Sequence, residues 1–182
     1  MRILLLSILP ILLFVGCGSP DLDDPETRDE ISAQAVDEYE LQEKRDERGK
    51  ILSYVAKTQT LYTGWAKVEH INGHLASLVH YKDGELYGPS VFWLENGQKV
   101  MEWNFNHVKG DGYSYHWYEN GQKRREENYK DGKIISAVAW KPNGEKCSIT
   151  NVVDGNGVVV VYNDDGTEDI RYTYKNGESF ID

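Results

Sequence analysis

Tyr118-Glu-Asn-Gly-Gln-Lys-Arg-Arg-Glu-Glu-Asn-Tyr-Lys-Asp-Gly132 is the stretch that the rest of the chain copies. It holds two turn dipeptides, Asn120-Gly121 and Asp131-Gly132, with a strand-length run between them. Asn-Gly and Asp-Gly tolerate the positive φ angles of a two-residue type I′ turn, so each predicts a tight hairpin. Trp93-Leu-Glu-Asn-Gly-Gln-Lys99 repeats Trp117-Tyr-Glu-Asn-Gly-Gln-Lys123, and Trp140-Lys-Pro-Asn-Gly-Glu-Lys146 does so again. His70-Ile-Asn-Gly73 begins the first copy, and Tyr162-Asn-Asp-Asp-Gly-Thr-Glu168 is a weaker fifth. The second turn follows at a fixed offset, Gly73 to Gly84, Gly121 to Gly132, Gly144 to Gly155 and Gly166 to Gly177. Val108 breaks this series, with the glycines slipped to Gly110 and Gly112, and a third glycine recurs at Gly64, Gly88 and Gly112. Turns every 11–13 residues or so leave short strands and no room for a helix. The fold class expected is all-β, an antiparallel meander of about five hairpin repeats.

This alternation of Tyr-x-Asn-Gly with Tyr-Lys-Asp-Gly, spaced by glycine and aromatic positions, resembles the bacterial variant of the MORN repeat. The resemblance covers about residues 62–178, best in 88–108 and 112–132. Many such chains are named YwqK-type antitoxins, a family label that implies occlusion of a partner, a toxin, and no chemistry. Asn151-Val-Val-Asp-Gly-Asn-Gly-Val-Val-Val-Val161 departs from the pattern and reads as a degenerate unit.

The chain of 182 residues allows one domain with appendages. It opens with Met1-Arg2 and an apolar run, Ile3–Val15, too short to span a bilayer; residues 1–16 read as a secretory signal peptide. Phe14-Val15-Gly16-Cys17 resembles a bacterial lipobox, which implies lipid attachment at Cys17 and a membrane-anchored lipoprotein of the cell envelope. Acylation of Cys17 would leave Cys147 without an intramolecular partner. The net charge of −10 opposes nucleic acid, whose phosphates need Lys and Arg, and opposes adhesion to anionic lipid.

Residues 17–50 read as an acidic tether, disordered around Gly18–Pro25, with a short helix within 28–48. Strands begin at Ile51, so 51–182 is the repeat domain. Within it the large residues keep odd numbers, which predicts one aromatic face on the sheet. Tyr81, Trp93, Trp103, Phe105, Tyr115, Trp117 and Tyr129 are the candidate partner-binding residues on that face. About eleven strands in one sheet would stand some 50 Å long at roughly 4.8 Å per strand.

Catalytic motifs are absent, and no cofactor or metal is expected. His70 and His74 straddle Asn72-Gly73, and a two-residue hairpin would set them on opposite faces. Asp154-Gly-Asn-Gly157 and Asn163-Asp-Asp-Gly166 lack the first carboxylate of a calcium loop and read as turns. Lys123-Arg-Arg125 is followed by Glu126-Glu127 and is no basic patch. His80, His107 and His116 read as strand or loop decoration. The functional expectation is an exported, noncatalytic protein-binding or scaffold module. Two alternatives stay open: an envelope carbohydrate-binding or carbohydrate-active protein stacking aromatics on sugars, and a passive structural lipoprotein.

Overall fold

The computed structural model describes residues 19–181, so the leader (1–16) and Cys17 lie outside the described residues. Asp24 caps the first helix by accepting a hydrogen bond from Thr27 N (2.8 Å), with Pro25 in the first turn of that helix. That helix, α1 (Pro25–Gln34), buries only Ile31 of its own residues and ends where Ala35 turns extended. The expected helix therefore stops well short of Arg48. A two-residue strand, β1 (Val36–Asp37), and a single 3-10 turn follow. Then β2 (Leu41–Arg45) pairs antiparallel with β3 (Ile51–Val55), and β3 with β4 (Thr60–Leu61). Residue 50 thus falls inside a hairpin, and the tether is part of the fold. Leu22, expected in disordered chain, is 5 % exposed.

The repeats build an eight-stranded sheet. Its order is β1, β5 (Gly64–Glu69), β6 (Leu75–Lys82), β7 (Glu85–Trp93), β8 (Lys99–Asn106), β9 (Lys109–Trp117), β10 (Lys123–Lys130) and β11 (Lys133–Ala139). From β5 onward every pairing is antiparallel and sequential, the expected meander; β1 adds a short parallel edge on β5. The degenerate unit interrupts the ladder. Between β11 and β12 (Gly157–Tyr162) only isolated bridges such as Ala137↔Val152 remain, and β12 then pairs with β13 (Glu168–Lys175) and β13 with β14 (Glu178–Ile181). The single eleven-stranded sheet is therefore replaced by sheets of eight, three and three strands.

Two kinds of corner alternate along the meander. At the Asn-Gly corners the chain closes over three residues: His70 N donates to His74 O, Leu94 N to Gln98 O, Tyr118 N to Gln122 O, Lys141 N to Glu145 O and Asn163 N to Thr167 O, all at 2.8–2.9 Å. Only the glycine takes a positive φ there (Gly121, 82°), so these are type I turns with a glycine bulge, not the expected type I′. The side chain fixes them: Asn72, Asn96, Asn120, Asn143 and Asp165 each accept from the backbone N–H two residues on, at 2.9–3.0 Å. The other corners are two-residue turns with positive φ at both positions, Asp83-Gly84, His107-Val108, Asp131-Gly132, Asp154-Gly155 and Asn176-Gly177. Val108 keeps this corner without glycine, so the turn never slipped. Each such corner is also tied backward: Gly84 N donates to Tyr62 O, Val108 N to Leu86 O, Gly132 N to Gly110 O and Gly177 N to Gly155 O, at 2.7–3.0 Å.

Residues paired across antiparallel strands share a face. Ser90↔Trp103↔Ser114↔Glu127↔Ala137 defines one face, called back here, and Val91↔Glu102↔Tyr115↔Glu126↔Val138 the front. At the β1 end the back face is closed by β2–β4, with Ala66, Val79, Tyr81 and Tyr62 in one core and Leu41 and Val55 against it. At the β11 end the back carries β12–β14, with Ile134, Ala137, Val152, Val159 and Val161 as its core. Among the described residues the front is closed at the β1 end alone, where Leu22 and Ile31 pack on Leu78, Val91 and Trp93.

Candidate functional site

Three of the copies place a Trp opposite a Lys across an Asn-Gly corner. The register pairs are Trp93↔Lys99, Trp117↔Lys123 and Trp140↔Lys146. The ammoniums reach forward: Lys99 Nζ stands 5.4 Å from the Trp117 ring centre, and Lys123 Nζ 5.5 Å from that of Trp140. The result is an alternating row, Trp93, Lys99, Trp117, Lys123, Trp140, crossing the front of the sheet with an indole every 10 Å or so. A second row carries Tyr115 between Glu102 and Glu126. Lys99–Glu102 and Lys123–Glu126 are both 2.9 Å, the same contact in successive copies. Tyr115 lies 6.0 Å from both Tyr113 and Trp117, and Lys123 Nζ is 5.0 Å from its ring. Burial first, then the Glu126 carboxylate, holds the Tyr115 phenol above its ordinary value.

Half of this front is occupied by the chain itself. Trp93 is 6 % exposed beneath α1, whereas Tyr113 is 49 % exposed and Tyr115, Trp117 and Trp140 are half-buried. Beside α1 a cleft of ≈ 470 Å³ opens, lined among others by Arg28, Asp29, Glu69, His74, Leu75 and Trp93. His74 Nδ1 lies 2.6 Å from Glu95 O and His70 Nε2 lies 2.9 Å from Trp93 O. The three-residue corner sets these imidazoles opposite one another, which corrects the opposite-face expectation. Each is engaged by main chain, and among the described residues no group of three metal-capable side chains forms.

On the back face a polar cluster is buried between strands. His116 Nε2 lies 3.1 Å from Ser114 Oγ and 3.3 Å from Arg125 Nη2, and Arg125 Nε lies 2.9 Å from Glu127 Oε1. The Tyr129 hydroxyl donates to Glu127 Oε2 at 3.2 Å. Burial, then the Arg125 and Arg124 guanidiniums, depresses His116 to about 3, so the ring is neutral and its 3.8 Å approach to Glu127 is no ion pair. Burial raises the Glu127 carboxyl, with Arg125 opposing. Serine, histidine and carboxylate meet here without a relay: Glu127 approaches the same ring nitrogen as Ser114, and Ser114 is 0 % exposed. His116 is therefore a half-buried strand residue held by Ser114 and Arg125, more than the decoration expected of it. His107, also read so, meets Glu85 at 3.0 Å.

The seven expected face residues divide. Tyr115 and Trp117 lie on the open front. Trp93 shares their side but is covered. Tyr81 is buried behind, at 6 % exposure, with its hydroxyl donating to Glu38 at 3.2 Å. Trp103, Phe105 and Tyr129 also lie on the back, where Trp103 packs on both others at 5.1 and 5.7 Å. The single ladder fails because, away from the Asn-Gly corners, pairing between β7, β8, β9 and β10 joins residues of opposite number parity, as in Ser90↔Trp103 and Trp103↔Ser114. The even step from Trp93 to Trp117 preserves the face only between equivalent strands. Lys123 and Trp140 were missed, although the Trp-to-Lys spacing of six in three copies carried the signal; Tyr113, one of the odd-numbered large residues, belongs with the candidates. No protein-family model matches the chain, and no curated protein matches it.

Proposed function

We propose that this chain is an exported, lipid-anchored, noncatalytic repeat protein that binds another protein on the open front of its sheet. The observation that carries the reading is the strip formed by Tyr113, Tyr115, Trp117, Trp140 and Lys123, which no segment among the described residues covers as α1 covers Trp93. Tyr and Trp side chains are enriched among the residues that anchor protein interfaces. The MORN resemblance agrees with a binding role, and the lipobox with an anchor at Cys17; an antitoxin-like action would be occlusion of an envelope toxin. A sugar would need ring faces turned outward. Tyr113 and Tyr115 instead turn theirs toward each other, with planes 14° apart, and the lysines lie over Tyr115 and Trp117.

The test is crosslinking in the native cells, with captured proteins quantified by mass spectrometry for the natural chain and for Tyr115→Ser/Trp117→Ser. The double substitution is expected to strip specific proteins from the profile while the fold survives. An unchanged profile from a folded variant removes the front face as the binding site.

A further inference from the structure

The chain already seats a short peptide of its own on one copy of the repeat. Pro20, Asp21, Leu22 and Asp23 run over Pro89, Val91, Lys99 and Glu102. Leu22 is buried against Val91 and Trp93, and the Asp23 carboxylate pairs with the Lys99 ammonium, which also holds Glu102 at 2.9 Å. Burial alone would lower the Lys99 pKa, yet the two carboxylates leave it raised. The lysine thus takes two carboxylates, one from its own strand and one from the peptide.

One repeat further on, the same offsets present Tyr113, Tyr115, Lys123 and Glu126. Lys123 grips Glu126 at 2.9 Å as Lys99 grips Glu102, but no counterpart of Asp23 reaches it among the described ion pairs. The exposures follow: the Lys99 side chain is 15 % exposed and that of Lys123 38 %, while Pro89 is buried and Tyr113 stands 49 % exposed. The first copy is filled and its equivalent is open.

We infer that the open copy receives an extended acidic peptide segment in which an apolar side chain immediately precedes an aspartate or glutamate. The carboxylate pairs with Lys123, and the apolar side chain lies on Tyr113 and Tyr115 as Leu22 lies on Val91. This deepens the proposed partner-binding reading and rests on it, since it gives the partner its chemistry. Two tyrosines in place of proline and valine make a broader seat, suited to a larger apolar residue than leucine as well as to leucine itself. Long-range attraction does not drive the encounter, because the whole chain carries a net charge of −10; recognition is local, through one ammonium and the rings around it.

The probe is the chain's own seat-filling sequence as an acetylated, amidated peptide, Ser-Pro-Asp-Leu-Asp-Asp-Pro, labelled for fluorescence anisotropy and titrated with the full chain. Saturable binding at or below about 1 mM is expected. It should weaken about tenfold or more with Lys123→Glu, or when the peptide's Leu or second Asp becomes Ser or Asn. Circular dichroism confirms that Lys123→Glu remains folded. Absence of saturation, or binding indifferent to Lys123→Glu, overturns the inference. So does sedimentation showing a dimer of the peptide-free chain that Lys123→Glu dissolves, because the seat would then belong to a second copy. Loss of cellular crosslinks in Tyr115→Ser/Trp117→Ser without peptide binding sinks the acidic-peptide chemistry and leaves the partner-binding role standing. Peptide binding through Lys123 with crosslinks unaffected by that double substitution supports the chemistry and sinks the role.

Discussion

Val108 holds a φ of 68° in the corner that its equivalents fill with glycine. A β-branched side chain is strained there, because Cβ crowds the backbone in the left-handed region. Val108 is 44 % exposed, so truncation removes little packing. Val108→Gly is therefore expected to stabilise the protein by about 1 kcal/mol, relief of strain outweighing the added freedom of the unfolded chain; urea denaturation measures it. His116 gives a second residue-level test. Below its ordinary value of 6.5 the unfolded chain takes up a proton that the folded chain refuses until about pH 3, so stability falls as pH drops through that window. Glu127 works in the opposite sense: its raised carboxyl contributes stability below the usual carboxylate range that is lost as pH rises through the folded value. His116→Gln keeps an acceptor for Arg125 and removes the first effect. Relative to the natural chain it should retain about 2–3 kcal/mol more stability at pH 4.5 than at pH 7, the ceiling set by two pH units of linkage. Equal losses in both proteins would show that His116 is not the group refusing the proton.

At the scale of elements, the Asn-Gly corners are joined side by side. The Asn120 Nδ2 donates to Pro142 O at 2.8 Å while its Oδ1 accepts from Gln122 N at 3.0 Å, and Asn72 Nδ2 reaches Glu95 O at 2.9 Å. Asn120→Ala removes both bonds and should cost about 1–2 kcal/mol, whereas Asn120→Asp keeps the turn-closing acceptor and should lose about half as much. Comparable melting temperatures for the two variants would count against the cross-corner bond. The existence and spacing of these corners were legible because turn chemistry is local: Asn, Asp and Gly carry it wherever they stand. Their kind was not. The three-residue closure at Asn120-Gly121 depends on how far the flanking strands run before pairing, and that decision fixes which side Trp103 and Trp117 face. The two-residue corner at His107-Val108 was hidden for the converse reason, since pairing on both sides imposes it on an unsuited residue.

At the scale of the molecule, coverage separates residues that look alike in the repeat. Trp93 sits under α1 and Leu22, so Trp93→Ser should cost about 3–5 kcal/mol, the range for emptying a large buried aromatic site. Its equivalent Trp117 is half-buried with Lys99 over it, and Trp117→Ser should cost about 1 kcal/mol. Thermal melts of the two single variants check the contrast; matching losses would mean that α1 does not shield the first site. Such coverage was out of reach of the sequence because Leu22 stands alone among acidic and turn residues, and its burial follows from a strand more than seventy residues away, whose Lys99 pairs with Asp23. Ile31 was visible as an apolar residue on a short helix, but nothing local said which tryptophan lay beneath it.

The alternation of corners also dictates how such a chain can lengthen or shorten through its gene. Excising one whole copy, from Trp93 up to Trp117, removes one corner of each sort, and every surviving side chain returns to its former surface. Excising half as much joins two corners of the same sort and carries Tyr115 to the opposite surface, the one that holds Ser90. Viable descendants should therefore differ by complete copies.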